Sequence, residues 1–358
     1  MNILITFENM QVAIHAIDLI RTLQASGDTI YYHCVGQKVT HYEYLSGIYS
    51  SKMIVLPHLP DLNKIDVWMY DLTPGDENAS VRTPFLDQMS GFKGNLVCIN
   101  YEDGYDFFLV RSSDYLIDKT DVFLNNALYK DRERYDSRIR NKLVLSTSYI
   151  TNSQLFKKIK TAFESKQARA FFTGNITGFS MTHLEERKCR ALVPLSIIQS
   201  DIPCFYRIYH YDPSMKDIYD YDVPPEYKQP VLPVKKYIEE FSGSKYILSL
   251  RGMGLTVNRF FEGLASNALV FSTRFDDTVD FIGQGAENTH YINIDWSGSD
   301  VVEKIKYYIE HEDEAAQIAG NGRHLWEEFS MLDNRGLLPI KVREDIVQQI
   351  YKISGMRF

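Results

Sequence analysis

Cysteine is scarce in this chain. The four present, Cys34, Cys98, Cys189 and Cys204, are far apart and form no CxxC pair. A zinc cluster and a disulfide framework are therefore not expected, and each thiol reads as a small buried apolar residue. Long apolar runs are also missing: none reaches the roughly 18 residues that suggest a membrane span. The opening MNILITFE lacks the basic flank, long apolar stretch and small-residue cleavage site of a secretory leader, so the cytoplasm is the expected location. Runs of Lys and Arg are absent too. With 39 basic against 47 acidic residues the net charge is −8, and nucleic acid is not an expected partner. No repeat of solenoid length occurs.

What is there suits a globular protein: 44% hydrophobic and 24% charged residues lie well away from disordered composition. A chain of 358 residues exceeds one ordinary core and predicts two domains with a cleft between them. NILITF (2–7) reads as a buried strand. QVAIHAIDLIRTLQAS follows with apolar residues at helical spacing, Gly27 stops it, and TIYYHCV (29–35) supplies the next strand. KMIVL, DVWMYDL and NLVCINY continue as short strands between turn-rich pieces, the alternation of a doubly wound α/β sheet. SYITNSQLFKKIKTAFESK (148–166) looks helical and sits near the domain boundary, which gives a first domain over 1–160. ARAFFTGNITG opens a second series over 161–335, its FF pair a strand and its glycines the loop leaving it. Then come the helix HLEERKCRALVPLSII, the strand IPCFYRIYHY and a Pro-, Asp- and Tyr-rich loop over 213–233. KYILSL, NRFFEGLASNA, LVFST, HYINI and the helices SDVVEKIKYYIEHEDEAAQIAGNG and RHLWEEF complete it, before a terminal helix within 336–358.

The stretch KYILSLRGMGLTVNRFFEGLASNALVFST (245–273) carries the most chemistry. A strand ends in the loop Arg251–Gly252–Met253–Gly254 and hands over to a helix whose predicted N-cap is Asn258. Such a helix start presents unpaired N–H groups and partial positive charge, which suits a diphosphate. Gly252 and Gly254 let the backbone come close, and Arg251 and Arg259 are placed to neutralise a departing nucleoside diphosphate. Glu262 lies three residues from Arg259, on the same helix face, as an acceptor for ribose hydroxyls. The bland alternative is a helix packed by Phe260, Phe261 and Leu264 beside a tight turn.

Residues 244–329 resemble the C-terminal region of the exostosin and the capsule-associated, KDEL-motif glucosyltransferase families. YILSLRGMGLTVNRFFEGLASNALVFST follows their pattern of strand, glycine loop, Arg, aromatics and small-residue helix. HYINIDWSGSDVVEKIKYYIEHEDEAAQIAGNGRHLWEEF is similar to their tail, with a helix, an acidic break and an AxxIAxNGR turn. FFTGNITG with EERKCRALVPLS is similar to the opening of their second domain. The resemblance implies a GT-B architecture of two Rossmann-like domains facing a cleft. It implies an inverting, metal-independent hexosyl- or pentosyltransferase that needs no cofactor beyond its UDP- or GDP-linked sugar donor. It places Arg251, Gly252, Gly254, Asn258, Arg259 and Glu262 at the donor, with Gly174 and Thr177 at the mouth of the cleft. Two departures stand out: Thr173 replaces a common Arg, and Thr256, Val257 and Asn258 replace a common Ser before the Arg. By family habit the acceptor is a surface polysaccharide or lipid-linked glycan at the inner face of a membrane.

An inverting transferase needs a base for the acceptor hydroxyl. Candidates follow apolar strands of the first domain: Asp103, Glu102, Asp71 and Glu8, with Asp103 favoured because a glycine turn follows it. For each, turn formation or capping is the competing role. His15, His33 and His210 read as structural. Asp220–Tyr221–Asp222 has the form of a metal-holding DxD, but no apolar strand precedes it, so no metal is expected. ALYKDRERYDSRIRNK (127–142) reads as a solvated helix, with contact to an anionic acceptor or membrane as the alternative. The competing functions are a non-catalytic two-domain sugar- or nucleotide-binding protein and a GT-B epimerase or phosphorylase.

Overall fold

In the computed structural model the described residues are 1–7, 23, 27–34, 54–56, 58–71, 85–100, 114–125, 128–145, 156, 159, 162–176, 184–211, 223–251, 257–273, 278–279, 287–295, 297–330, 344 and 348–352. The chain divides into two compact units. One comprises Met1–Thr151 with Val279–Phe281 and Leu332–Phe358; the other comprises Asn152–Thr278 with Ile282–Met331.

The first unit is built on β1 (Asn2–Phe7), β2 (Thr29–Cys34), β3 (Ile54–Val55), β4 (Val67–Asp71), β5 (Asn95–Asn100), β6 (Val122–Asn125) and β8 (Leu143–Leu145), with α1 (Leu86–Gly91) and α2 (Asp114–Lys119) between them. The order is β3-β2-β1-β4-β5-β6-β8, and every pairing is parallel. Strands of a parallel sheet are covered on both faces, so they read as continuous apolar runs rather than alternating ones. Trp68, Met69, Tyr70, Leu96, Val97 and Cys98 are accordingly buried in succession. Their polar atoms find partners: the Trp68 indole donates to Thr6 Oγ1 (2.9 Å), and the Tyr70 hydroxyl pairs with Thr120 Oγ1 (2.5 Å). Residues 348–352 return to this unit as a helical turn, where Ile350 and Tyr351 join Met1, Ile3, Leu23, Val67, Met69 and Val97 around a small apolar pocket. The two-residue β7 (Leu128–Tyr129) and β13 (Thr278–Val279) belong to neither large sheet.

The second unit has β9 (Gln167–Ile176), α3 (Leu184–Ile198), β10 (Cys204–Tyr211), α4 (Val234–Ser242), β11 (Ser244–Ser249), α5 (Asn258–Ala265), β12 (Leu269–Thr273), β14 (Ile292–Ile294), α6 (Val301–Glu310) and α7 (Glu312–Ser330). Its strand order is β10-β9-β11-β12-β14, again parallel throughout. Side chains of alternate parity feed opposite faces. Phe172, Tyr246, Leu248 and Phe271 join Val193 and Ile197 of α3 and Ile305 and Tyr308 of α6 in one core. On the other parity Phe171 meets Phe241 of α4 (5.1 Å between rings), while a Cβ on Gly263 of α5 would stand 2.6 Å from Val270. The small residue lets α5 press against the sheet.

Several sequence expectations change here. The Gly320–Asn321–Gly322 segment does not turn: α7 runs unbroken from Glu312 to Ser330, and the break falls at His311. Gly322 is needed for approach rather than termination, since a Cβ there would lie 2.6 Å from the His290 carbonyl oxygen and 2.8 Å from Leu264 Cδ2. The segment expected as a helix over 127–142 is not one where it is described, from 128 onward. Asp131 and Asp136 each accept the amide two residues on, at 3.0 and 2.8 Å, and these local bonds impose a 3-10 turn (Arg132–Arg134) and further turns. Three of its four arginines are engaged within the segment, Arg138 with Asp136, Arg140 with Glu133 and Arg134 over the Tyr129 ring. Where 148–166 is described it holds a 3-10 turn (Phe163–Ser165) instead of an α-helix, because Phe163 is drawn into the core against Tyr246. The described part of the loop expected over 213–233 packs on the sheet: Lys228 bridges to Ile208, Gln229 donates its amide to the Ile208 carbonyl, and Val223 is fully buried. Helix α4, unread in the sequence, follows at once.

The two glycines of α7 make opposite predictions. G322A should lower stability by about 1–3 kcal/mol, since the added methyl meets backbone. G320A has nothing within 4 Å of its new Cβ and should raise helix stability by about 0.5–1 kcal/mol. Urea-unfolding midpoints of the two variants check both signs.

Candidate donor site

In an open parallel sheet the place where strand order reverses leaves a crevice at the carboxyl ends, and ligands bind there. In the second unit that reversal lies between β9 and β11, which are neighbours although α3 and β10 separate them in sequence. Of the residues singled out for the donor, Gly174, Arg251, Asn258, Arg259 and Glu262 are described. Gly174 lies in the last turn of strand β9, buried and still hydrogen-bonded in the sheet opposite Ile208; it does not form the loop that was expected. Arg251 lies two residues past the end of β11 and is 3% exposed. Arg259 starts α5. Gly252, Gly254 and Thr177, like Glu102 and Asp103, lie outside the described residues.

Arg251 is held by its backbone. Its N–H donates to Thr273 Oγ1 at the end of β12 (3.0 Å), and its carbonyl accepts from Cys189 Sγ (3.3 Å) and Arg190 Nε (3.3 Å) of α3. Arg190 also donates from Nη1 to the Asn175 carbonyl (3.3 Å), so one guanidinium ties the ends of both strands that flank the crevice. Nothing in the local periodicity of α3 marks Arg190 for this; only the strand order brings Asn175 and Arg251 within its reach.

The guanidinium of Arg259 lies over the Phe172 ring, 4.9 Å from its centroid, and its Nη2 is 3.0 Å from where a Cβ on Gly174 would stand. Its Nη1 is buried without a hydrogen-bond partner among the described residues, and so is Oδ1 of Asn258. Buried polar atoms are normally paired, and an unpaired cationic N–H is costly unless a ligand completes it. Asn258 is not the N-cap. That position falls to Val257, whose backbone is extended (φ −133°, ψ 144°), so Asn258 is the first helical residue, and among the described residues no side chain caps the first turn. Valine carries no side-chain acceptor for the first-turn N–H groups.

Glu262 is 8% exposed and accepts the Tyr237 hydroxyl at 2.6 Å. Burial pushes its carboxyl pKa above the usual value, against the opposing pull of the Tyr237 bond and the Arg259 charge. Helix α4, which supplies Tyr237, is pinned by Arg169 of β9. That guanidinium bonds the Glu240 carboxylate (2.7 Å), the Glu240 carbonyl (2.9 Å) and Ser244 Oγ (2.8 Å). The spacing of Tyr237, Ile238 and Phe241 after Pro233 is the signal by which the sequence could have disclosed α4.

In the first unit the order reverses between β1 and β4. Asp71 closes β4 there, its backbone in register with Ile99 of β5. Among the described residues no three of His, Cys, Asp and Glu gather into a metal-binding group, and no helix is long and apolar enough to cross a membrane. Asp220–Tyr221–Asp222 lies outside the described residues.

Comparison with solved structures decides the architecture. Over 98% of both chains the protein is similar to a glycosyltransferase from Rickettsia africae, with 12% identity and a TM-score of 0.53. It is similar to HepE of Anabaena in complex with UDP-glucose at 9% identity, over 99% of this chain and 98% of that one, with a TM-score of 0.55. The fold is GT-B. The same architecture appears in a UDP-GlcNAc 2-epimerase from Neisseria meningitidis bound to UDP-GlcNAc, 13% identical over 98% of this chain and all of that one, TM-score 0.50. Residues 207–335, from the middle of β10 past the end of α7, match the family model described as glycosyl transferase-like. The narrower likeness to the exostosin and KDEL-motif families stays a resemblance. No curated protein sequence matches the chain.

The buried carboxyl generates a prediction. A raised folded pKa means that Glu262 favours the folded state fully below its unfolded value, and that this contribution is lost as pH rises through the folded one. E262Q removes the charge that burial opposes. Its stability relative to wild type should therefore be higher at pH near neutrality than at acid pH, as read from urea midpoints across that range.

Proposed function

We propose that the protein is a glycosyltransferase whose second unit binds a nucleotide sugar at the β9/β11 crevice and releases the nucleoside diphosphate. The observation that carries this reading is the Arg259 guanidinium, packed on Phe172, laid beside Gly174 and left with a buried unpaired N–H, next to an uncapped helix start. Arginine grips phosphate oxygens in pairs and keeps its charge, and the first-turn amides of α5 add aligned donors. Together with Arg251 and the glycines 252 and 254 they offset the charge that develops on a departing diphosphate, the task a divalent ion performs elsewhere. Glu262 takes the ribose hydroxyls. Relatives of the same fold bound to UDP-glucose and UDP-GlcNAc support a nucleotide-sugar ligand. The match of 207–335 to a glycosyl transferase-like family supports transfer over simple binding.

The reaction we infer is inverting. A carboxylate of the first unit removes the proton of an acceptor hydroxyl as its oxygen attacks the anomeric carbon, and the sugar–phosphate bond breaks with inversion. Asp103, Glu102 and Asp71 are the proposed candidates, and the place of Asp71 at the reversal of strand order supports it over the pair that follows β5. The acceptor we propose is a glycan, free or lipid-linked, met on the cytoplasmic side.

Purified protein incubated with UDP- and GDP-sugars, with EDTA and without added metal, should show a thermal shift for one nucleotide and release or transfer of its sugar. R259A should lower kcat/KM for the donor by about 10²–10³-fold, the loss typical of removing one preorganised charge stabiliser. Unaltered turnover in R259A contradicts the site, and epimerised donor without transfer identifies an epimerase instead. D71N and D103N separate the bases: the variant lacking the true base should lose kcat by about 10²–10⁴-fold with donor binding retained.

A further inference from the structure

Glu262 is a carboxylate in a place that disfavours carboxylates. It sits on the inner side of α5, 8% exposed, and the described donor to it is the Tyr237 hydroxyl, 2.6 Å from Oε2. Tyr237 has little freedom to leave. Its ring meets Phe156 (6.2 Å, edge-on), Phe171 (5.9 Å, edge-on) and Phe241 (5.4 Å), and α4 beneath it is anchored by the Arg169–Glu240 pair (2.7 Å). The phenol is thus a fixed donor on one oxygen of the carboxylate.

We propose that Tyr237 is a positioning residue of the donor site: its hydroxyl holds Glu262 ionised and in place through Oε2, leaving Oε1 to accept from a vicinal diol, the ribose of the nucleotide. This rests on the donor-site reading above. A charge-assisted hydrogen bond to a carboxylate favours the ionised form. The groups facing the carboxyl are the Tyr237 phenol from α4 and the Arg259 guanidinium from its own helix, and Tyr209 of β10 acts on Tyr237 in turn. Burial of the phenol and the nearby carboxylate hold the hydroxyl protonated, so it remains a donor throughout the accessible range. A diol donates to a carboxylate, not to the protonated acid's O–H, so donor affinity falls as Glu262 takes up a proton. Removing the phenol oxygen removes a lowering influence, so the carboxyl pKa rises further and the acid limb of binding moves to higher pH.

The probe is UDP-glucose, with GDP-mannose in parallel; the diphosphate of either is diesterified and fully ionised where Glu262 titrates, unlike that of free UDP. Calorimetric affinities are measured from about pH 5 to about pH 9, the span in which a raised carboxyl pKa shows itself. Expected for Y237F is a lowered alkaline plateau, since Glu262 loses the donor that holds it in place, together with an acid limb displaced upward. On the acid side the variant then binds about tenfold more weakly for each unit of displacement. E262Q should bind more weakly at alkaline pH and show no acid limb. Coincident limbs in wild type and Y237F, or a limb that persists in E262Q, overturn the proposal; the E262Q result stands by itself if Y237F does not fold. R259A separates the two readings. Lost affinity there with coincident limbs in Y237F sinks only the role of Tyr237, whereas unchanged affinity in R259A sinks the donor site.

Discussion

The guanidinium of Arg259 lies so close to residue 174 that any side chain there would crowd it. With a Cβ at 174 the contact would be 3.0 Å, so the absence of that carbon lets the cation lie across β9 and stack on Phe172. The rest of the site depends on this approach. It brings the start of α5 to the carboxyl end of β9, leaves a guanidinium N–H buried without a partner, and places positive charge one turn from Glu262. A buried cationic N–H without a partner is unfavourable, and the surrounding order over-determines it: Arg169 pins α4, Gly263 seats α5 on the sheet, and Arg190 ties the ends of β9 and β11.

This arrangement is a form of preorganisation. In the proposed donor site, cationic and N–H groups are held in place by the protein itself, so aligning them would cost nothing further as charge develops on a leaving group. Polar backbone contacts supply much of the rigidity. Arg251 is fixed through its own amide and carbonyl, by Thr273, Cys189 and Arg190, which leaves its side chain's function separate from its placement. The same economy appears at Glu262, where one phenol hydroxyl stands against the cost of burying a carboxylate.

Most strands were legible because parallel strands covered on both faces are dense apolar runs: NILITF, VWMYD, NLVCIN, KYILS and LVFST each appear as strands where such runs occur. Turns and helix ends were less legible. Glycine in AGNGR reads locally as a stop, yet the space it leaves is taken by the His290 carbonyl and Leu264, from elements distant in sequence. The Asp131 and Asp136 turns overrode an apparent helix by hydrogen bonds that periodicity does not weigh. Asn258 is a good cap in isolation, but the chain enters α5 through an extended Val257 one residue earlier.

Residue types and their order by themselves determined an α/β chain of two units and a segment around 251–262 with the cations, glycines and helix start that anion binding requires. They determined this because apolar runs, glycines and charge are local properties. Strand order is not local. That β9 lies beside β11, that Gly174 therefore faces Arg259, that Arg190 spans two strand ends and that Tyr237 reaches Glu262 were decided only when the sheet assembled. Each of these contacts joins residues 15 to 85 positions apart, with no spacing rule to connect them.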